Sequence, residues 1–163
     1  MDFNWLVLLA ATLVPLLIGF IWYHPKVFGN AWMRATGITP EGAKEANMPL
    51  IFGLTALFSL MLAFILHGMV IHQYAIYSLA AEMAPEQAEI AVKEFNDKYG
   101  SLFRTFKHGT FHGVLLGLFF VLPVLGTNAL FERKGFRYMA INVGYWIVSL
   151  AIMGGIICQW AGQ

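Results

Sequence analysis

The stretch KHGTFHGVLLGL, residues 107–118, decides how this chain folds. It carries three glycines at four-residue spacing, Gly109, Gly113 and Gly117, and two histidines at the same spacing, His108 and His112. Because an α-helix repeats about every 3.6 residues, each set follows one face of a helix. A glycine face within an apolar segment lets a second helix approach closely. We therefore predict that this helix makes the closest packing contact of the fold, with histidines on an adjoining face.

The composition indicates a membrane protein. The chain has 163 residues, of which 59% are hydrophobic and 12% charged, whereas soluble domains carry about 25% charged residues. The charges lie between four long apolar runs, each long enough to cross a bilayer as a helix. The first run lacks a preceding basic region, so we expect a retained helix and not a cleaved signal. We predict an all-α integral membrane protein, a single domain over residues 1–163, with transmembrane helices at residues 4–23, 49–74, 106–130 and 138–160.

The connecting segments predict two further helices. After the first span, Pro25 begins an amphipathic pattern typical of a short helix on the membrane surface. We expect four aromatic residues at the headgroup level: Trp22, Tyr23, Phe28 and Trp32. Residues 36–48 are polar and predict a loop. Between the second and third spans, Pro85 begins an amphipathic helical segment that Gly100 ends, and its acidic residues favour a solvated face over a cation site.

The distribution of basic residues predicts the orientation. Four spans place both termini on one side, and the first and third connections carry six basic residues against four on the terminal side. Since basic residues favour the cytoplasmic side, we predict both termini outside, in the cytoplasmic membrane of a bacterium. Glu132 and Arg133 in the third connection are compatible either with an ion pair or with an arginine that faces lipid phosphates.

Several short motifs resemble a known family. They are GFIWYHP at residues 19–25 with Phe28, Gly29 and Trp32, then FER at residues 131–133, INVGYW at 141–146, Ser149, and IMG at 152–154. Together they resemble the small membrane family named domain of unknown function 1761, and the resemblance covers most of the chain. It implies a compact four-helix membrane protein and carries no particular activity, cofactor or catalytic residue.

The histidines are the strongest candidates for chemistry. His67 and His112 lie at similar depths from the same end of their predicted spans, about 10 Å at a rise of about 1.5 Å per residue. His72 and His108 form a second pair nearer the surface. Because consecutive antiparallel helices are usually neighbours, we expect these four side chains to gather at one end of the bundle.

Three interpretations of these histidines remain open. Each ring bonds only a neighbouring hydroxyl, carbonyl or water, which is a structural role. Alternatively, His67, His108 and His112, with His72 as a further candidate, bind a transition metal or a haem iron. The third interpretation is a proton, ion or small-solute path that uses His67 and His112 with Thr110, Ser59 and Asn142.

The sequence favours a non-enzymatic function. It contains no nucleotide-binding glycine loop, no His-Glu-x-x-His zinc motif and no serine-hydrolase elbow, so no catalytic residue is assigned. No basic patch exceeds three residues, which argues against nucleic acid as a partner. Abundant packing patterns instead favour a helix-packing subunit in the lipid bilayer, either a homo-oligomer or part of a larger membrane complex. Metal or haem binding, or passage of an ion, is the alternative.

Overall fold

Four apolar helices form the body of the computed structural model, which describes residues 4–161. The helices long and apolar enough to span a membrane are Trp5–Trp22, Met48–Val70, Phe106–Phe131 and Phe136–Trp160. All regular elements in the described part of the chain are helical. The predicted fold class, an all-α protein with four membrane-spanning helices, is therefore confirmed.

Nine α-helices follow one another along the chain, joined in three places by π- or 3₁₀-helical turns. The α-helices are α1 (Trp5–Trp22), α2 (Asn30–Thr36), α3 (Pro40–Lys44), α4 (Met48–Val70), α5 (Ala75–Ala80), α6 (Pro85–Tyr99), α7 (Phe106–Leu116), α8 (Leu122–Phe131) and α9 (Phe136–Trp160). The π-helical turns are Pro25–Gly29 before α2 and Gly117–Val121 between α7 and α8, and the 3₁₀ turn is His72–Tyr74. This count covers residues 4–161.

Helix α9 lies at the centre and is the most buried of the four spans. Its residues Leu150, Met153 and Ile157 are fully buried in one cluster with residues of α1 and α4. The other three spans leave large apolar side chains exposed, such as Leu6 and Phe119. In a bilayer these faces contact lipid, so the fold buries one helix and exposes the outer faces of three.

The glycine face of α7 packs directly on α9. A Cβ atom at Gly109 would overlap the backbone of Gly154, and one at Gly113 would overlap the backbone of Leu150. At Gly117 it would lie 2.6 Å from Cγ1 of Ile147. The predicted close contact is thus made within the chain, and this face is not available to a second copy.

At the end of the bundle where α1 ends and α9 begins, aromatic residues at and after the end of α1 pack against α9 and each other. The Trp22 indole N–H donates to the Ile141 carbonyl at 3.0 Å, and its ring packs on Phe28 at 4.5 Å between centroids. Tyr23 packs on Trp32 at 5.4 Å. The predicted surface helix exists as the π turn and α2, while the headgroup-level position of these four residues stays a prediction.

Most predicted span limits agree with the structure to within two residues, and two segments differ more. Residues 36–48 contain α3, a short helix whose first turn is capped by the Thr39 hydroxyl, which accepts from the Gly42 N–H. The second span ends at Val70 and not at residue 74, because Ile71 adopts an extended backbone. Gln73 holds the following turn in place by donating to the carbonyls of Tyr99 and Leu102 at 2.9 and 2.8 Å. That bend redirects the chain and brings His72 across to α7.

Candidate metal centre

Three imidazoles meet at the end of the bundle where α1 begins and α9 ends. The Nε2 atom of His108 lies 2.9 Å from Nε2 of His72 and 3.1 Å from Nε2 of His112. One ring nitrogen from each of the three residues falls within 4.8 Å of the other two. A tetrahedral ion with bonds of about 2.0–2.1 Å separates its nitrogen ligands by about 3.3 Å. The two distances from His108 are within a few tenths of an ångström of this value, and a small movement of the His72 and His112 rings would let all three bind one ion.

Helix α7 positions two of the rings. His108 and His112 are one turn apart on the same face, so their side chains stand side by side, with ring centroids 4.6 Å apart. The helix begins just before His108, where the Thr105 hydroxyl accepts from the His108 backbone N–H at 3.2 Å. This cap fixes the first turn, and with it the position of His108.

The third ring comes from the turn after α4. His72 begins the 3₁₀ turn, and its ring lies 5.0 and 4.9 Å from the rings of His108 and His112 between centroids. Phe103 stacks on the other side of His108 at 5.1 Å. Its backbone has a φ of +59°, a left-handed conformation that costs about 1–2 kcal/mol in a residue other than glycine.

The cluster is accessible from outside the protein. The His72 side chain is exposed, and those of His108 and His112 are half-buried. The group lies at the first turns of α7, where the span begins, and not in the middle of the bundle. An ion can therefore reach it from the end of the bundle without crossing the apolar interior between the helices.

His67 is not part of this cluster. It is 5% exposed, and its Nε2 lies 3.5 Å from the Tyr74 hydroxyl. The same ring also hydrogen-bonds to the backbone of Ala161. Burial raises the pKa of Tyr74, so its hydroxyl remains a donor. These contacts match the first interpretation, in which His67 bonds only its neighbours. His67 does not pair with His112 as expected; His112 instead lies with His108 and His72.

The chemistry of the cluster suits a divalent transition metal ion. Neutral imidazoles bind Zn²⁺, Cu²⁺ and Ni²⁺, whereas Mg²⁺ and Ca²⁺ prefer oxygen ligands. Within residues 4–161, no cysteine, aspartate or glutamate joins the three histidines. The protein thus offers three ligands and leaves one tetrahedral position for water or an exogenous group.

A haem iron or an ion path fits this arrangement less well. Two axial ligands of a haem stand on opposite faces of the macrocycle, and Nε2 atoms 2.9 and 3.1 Å apart leave no room for a plane between them. For the path, Asn142 lies at the opposite end of α9, where Tyr23 donates to its Oδ1 at 3.0 Å. Asn142, one of the polar residues proposed to line a path, is therefore remote from the cluster.

The fold and the position of the cluster define a class: a small all-helical membrane protein with four spanning helices and a histidine site at one end. The chain belongs to the family described as protein of unknown function (DUF1761), whose family model matches residues 6–158. No curated protein and no solved structure matches the chain. The resemblance found in its motifs is therefore confirmed over nearly the whole chain.

Proposed function

We propose that this protein is a metal-binding membrane protein that holds one divalent transition metal ion between His72, His108 and His112. The observation that supports it is the convergence of three imidazole nitrogens from two separate elements within 4.8 Å. Imidazoles that meet by chance on a surface seldom share one point, because each ring gains more from water or from a backbone carbonyl. Here the Nε2 atoms contact each other.

The open fourth position determines what kind of site this is. Three neutral histidines leave the full charge of the ion uncompensated, so water, hydroxide or an anion completes its shell. Such a site exchanges its ion and its fourth ligand more readily than a closed structural site. The proposed role is therefore capture or presentation of the metal at the membrane surface, with Zn²⁺ as the ion to test.

Metal binding by the untagged protein tests this proposal, since a polyhistidine tag would itself bind Zn²⁺. The protein is purified in detergent, stripped with EDTA, and titrated with Zn²⁺ against a chelating dye, with elemental analysis of the recovered protein. We expect one ion per chain. Loss of a residue that only hydrogen-bonds a metal ligand weakens metal binding roughly 10–100-fold. Because His108 and His112 would bind the ion directly, substitution of either by Ala should weaken binding more than that.

The matched control is His24→Gln. His24 is an exposed histidine just after α1, at the end of the bundle away from the cluster. It should bind Zn²⁺ as the unaltered protein does. Circular dichroism verifies that each variant remains helical. Binding below one ion per chain, or equal binding by the His108, His112 and His24 variants, contradicts the proposal.

The orientation forms a second part of the proposal. The cluster lies at the end where α1 begins and α9 ends. Basic residues are more numerous at the other end, and they favour the cytoplasmic side. We therefore propose that the cluster faces the outside of a bacterial cytoplasmic membrane. Cysteine substitutions at the exposed Glu82 and Lys44, on opposite sides, test it with a membrane-impermeant maleimide, because Cys158 is buried. Labelling of Glu82→Cys alone in intact cells supports this orientation, and labelling of Lys44→Cys alone reverses it.

Assembly into a homo-oligomer or a larger membrane complex remains a prediction. Its main support was the glycine face of α7, which α9 occupies within the same chain. Metal binding is therefore the function that the geometry supports best.

A further inference from the structure

A second feature lies at the end of the bundle opposite the histidines. There α8 and the first turns of α9 enclose a cavity of 260 Å³. Its lining includes Asn128, Glu132, Tyr138, Met139, Asn142 and Trp146. It therefore combines a carboxylate, two amides and two aromatic rings, the groups that recognise small organic cations.

Glu132 has no ionic partner within residues 4–161, although three basic residues follow within five positions. Helix α8 ends at Phe131, and Arg133 has a left-handed backbone with a φ of +55° that turns the chain sharply after Glu132. Lys134 donates instead to the Thr36 carbonyl at 3.2 Å. The ion pair considered for Glu132 and Arg133 is thus absent among the described residues; a cation near the cavity, Lys134, lies 5.9 Å from the Tyr138 ring and does not pair with the carboxylate.

The opposite wall is held in one orientation by α1. The Tyr23 hydroxyl donates to Oδ1 of Asn142 at 3.0 Å. Burial raises the pKa of Tyr23, and the neighbouring Tyr145 and Tyr138 raise it further, so the hydroxyl keeps its proton and stays a donor. Nδ2 of Asn142 donates to the Tyr138 carbonyl at 2.8 Å, which leaves its second N–H for a ligand. The cavity therefore offers a negative group on one side and an N–H donor on the other.

The cavity lies at one end of the apolar spans. Phe131 and Phe136, which flank the connecting turn, are 87% and 81% exposed. Apolar rings so exposed at the end of a span favour contact with lipid at the membrane surface. The turn between them also carries Arg133 and Lys134, and cations at this level contact lipid phosphates.

We infer that this cavity binds an alkylammonium group of the ethanolamine type, with the ammonium against Glu132 and the ring of Trp146 and an oxygen of the ligand at the Asn142 amide. Its volume suits a headgroup and not a drug-sized molecule. The ammonium supplies the charge that Glu132 lacks, and the indole face adds a cation–π contact. The same chemistry is present in an aminophospholipid headgroup and in a free amine.

Native mass spectrometry of the protein from mixed phosphatidylethanolamine and phosphatidylglycerol vesicles tests the lipid source. We expect retention of phosphatidylethanolamine in excess over phosphatidylglycerol. Thermal unfolding in lipid-free detergent with added ethanolamine tests the free amine. Retained lipid without an ethanolamine effect indicates a headgroup, and a raised midpoint without lipid preference indicates a free amine.

Glu132→Gln distinguishes a specific site from general lipid contact. It removes the charge at an exposed position, so the fold should persist, and we expect at least 10-fold weaker retention of the preferred ligand. The control is Glu82→Gln, an exposed acid at the other end of the bundle, which should behave as the unaltered protein. Equal retention of both lipids with no ethanolamine effect, or equal behaviour of the two variants, overturns the inference.

Discussion

The two ends of the bundle use their polar side chains differently. At the end near Tyr23, Trp22 bonds the Ile141 carbonyl and Tyr145 bonds the Pro15 carbonyl, although Tyr23 bonds the Asn142 side chain. At the other end Gln73 also bonds backbone carbonyls, but His72, His108 and His112 contact each other. A side chain bonded to a backbone carbonyl holds helices together, whereas side chains bonded only to each other remain able to accept a ligand. This difference separates structural polar groups from candidate functional ones, and the following variants test it.

The largest effect on stability is expected at the contact between α7 and α9, which lies between the two ends of the bundle. Gly113→Ala places a methyl group against the Leu150 backbone, which cannot move without separating α7 from α9. Overpacking of this kind costs about 1–3 kcal/mol or more, so thermal unfolding in detergent should occur at a clearly lower temperature.

The matched control is Gly53→Ala, since a Cβ at Gly53 meets nothing within 4 Å. It should leave the unfolding temperature nearly unchanged. Equal unfolding temperatures for the two variants would show that α7 and α9 do not pack as closely as described.

Tyr145→Phe tests whether a polar side chain that bonds a backbone carbonyl stabilises the fold without affecting metal binding. The variant removes the hydrogen bond of 2.9 Å that the Tyr145 hydroxyl donates to the Pro15 carbonyl across the contact between α9 and α1. We expect a loss of about 0.5–1.5 kcal/mol in the free energy of unfolding, with Zn²⁺ binding unchanged. Tyr99→Phe is the control, because the Tyr99 ring is 37% exposed. Comparable stability of the two variants would remove the role assigned to Tyr145.

His67→Gln tests which histidines bind the metal. The sequence suggested His67 as a ligand, whereas the structure places His72 beside His108 and His112. His67 bonds Tyr74 and the Ala161 backbone, so we expect a loss of about 1 kcal/mol in stability and full retention of Zn²⁺. Unfolding by heat and the dye competition assay provide the two measurements. Loss of the ion without loss of stability would return His67 to the ligand set.

The smallest effect is expected from Phe103→Leu. The substitution removes the ring stacked on His108 and keeps an apolar side chain at the same strained backbone position. Affinity for Zn²⁺ should fall only a few-fold, because the ring stacks on His108 without hydrogen-bonding to it or binding the ion. The dye competition assay resolves such a change, and a loss as large as that of His108→Ala would mean that Phe103 holds the whole turn in place.

Local patterns were sufficient to predict the four spans and the packing face of α7. Runs of about 20 apolar residues and glycines at helical spacing act within one segment, so they can be recognised without tertiary information. The motifs around Trp22 and Asn142 also identified the family correctly. The short helix α3 was missed because Gly37, Pro40 and Gly42 usually mark a loop, and the Thr39 cap outweighs them locally.

The complete histidine cluster could not be predicted from the same patterns. Spacing indicates that His108 and His112 share a face, but the third ring depends on where α4 ends. No proline or glycine marks Ile71, and the bend there is held by bonds from Gln73 to carbonyls 26 and 29 residues away. A continuous helix to residue 74 made His67 the natural partner. The open cavity at Glu132 depends in the same way on the left-handed backbone of Arg133.

The π-helical turn at Gly117–Val121 bears on how such a chain tolerates insertions and deletions. A π turn contains one residue more than the α-helical turn it replaces, and each residue rotates a helix by about 100°. Because both kinds of turn complete one rotation, loss of one codon in this stretch would restore a regular α-helical turn and leave α8 close to its present rotation relative to α7. Loss of one codon from a regular part of the same span would instead rotate everything after it by about 100° and turn Glu132 away from Trp146. The π turn is therefore the place in this span where a one-residue deletion is absorbed locally.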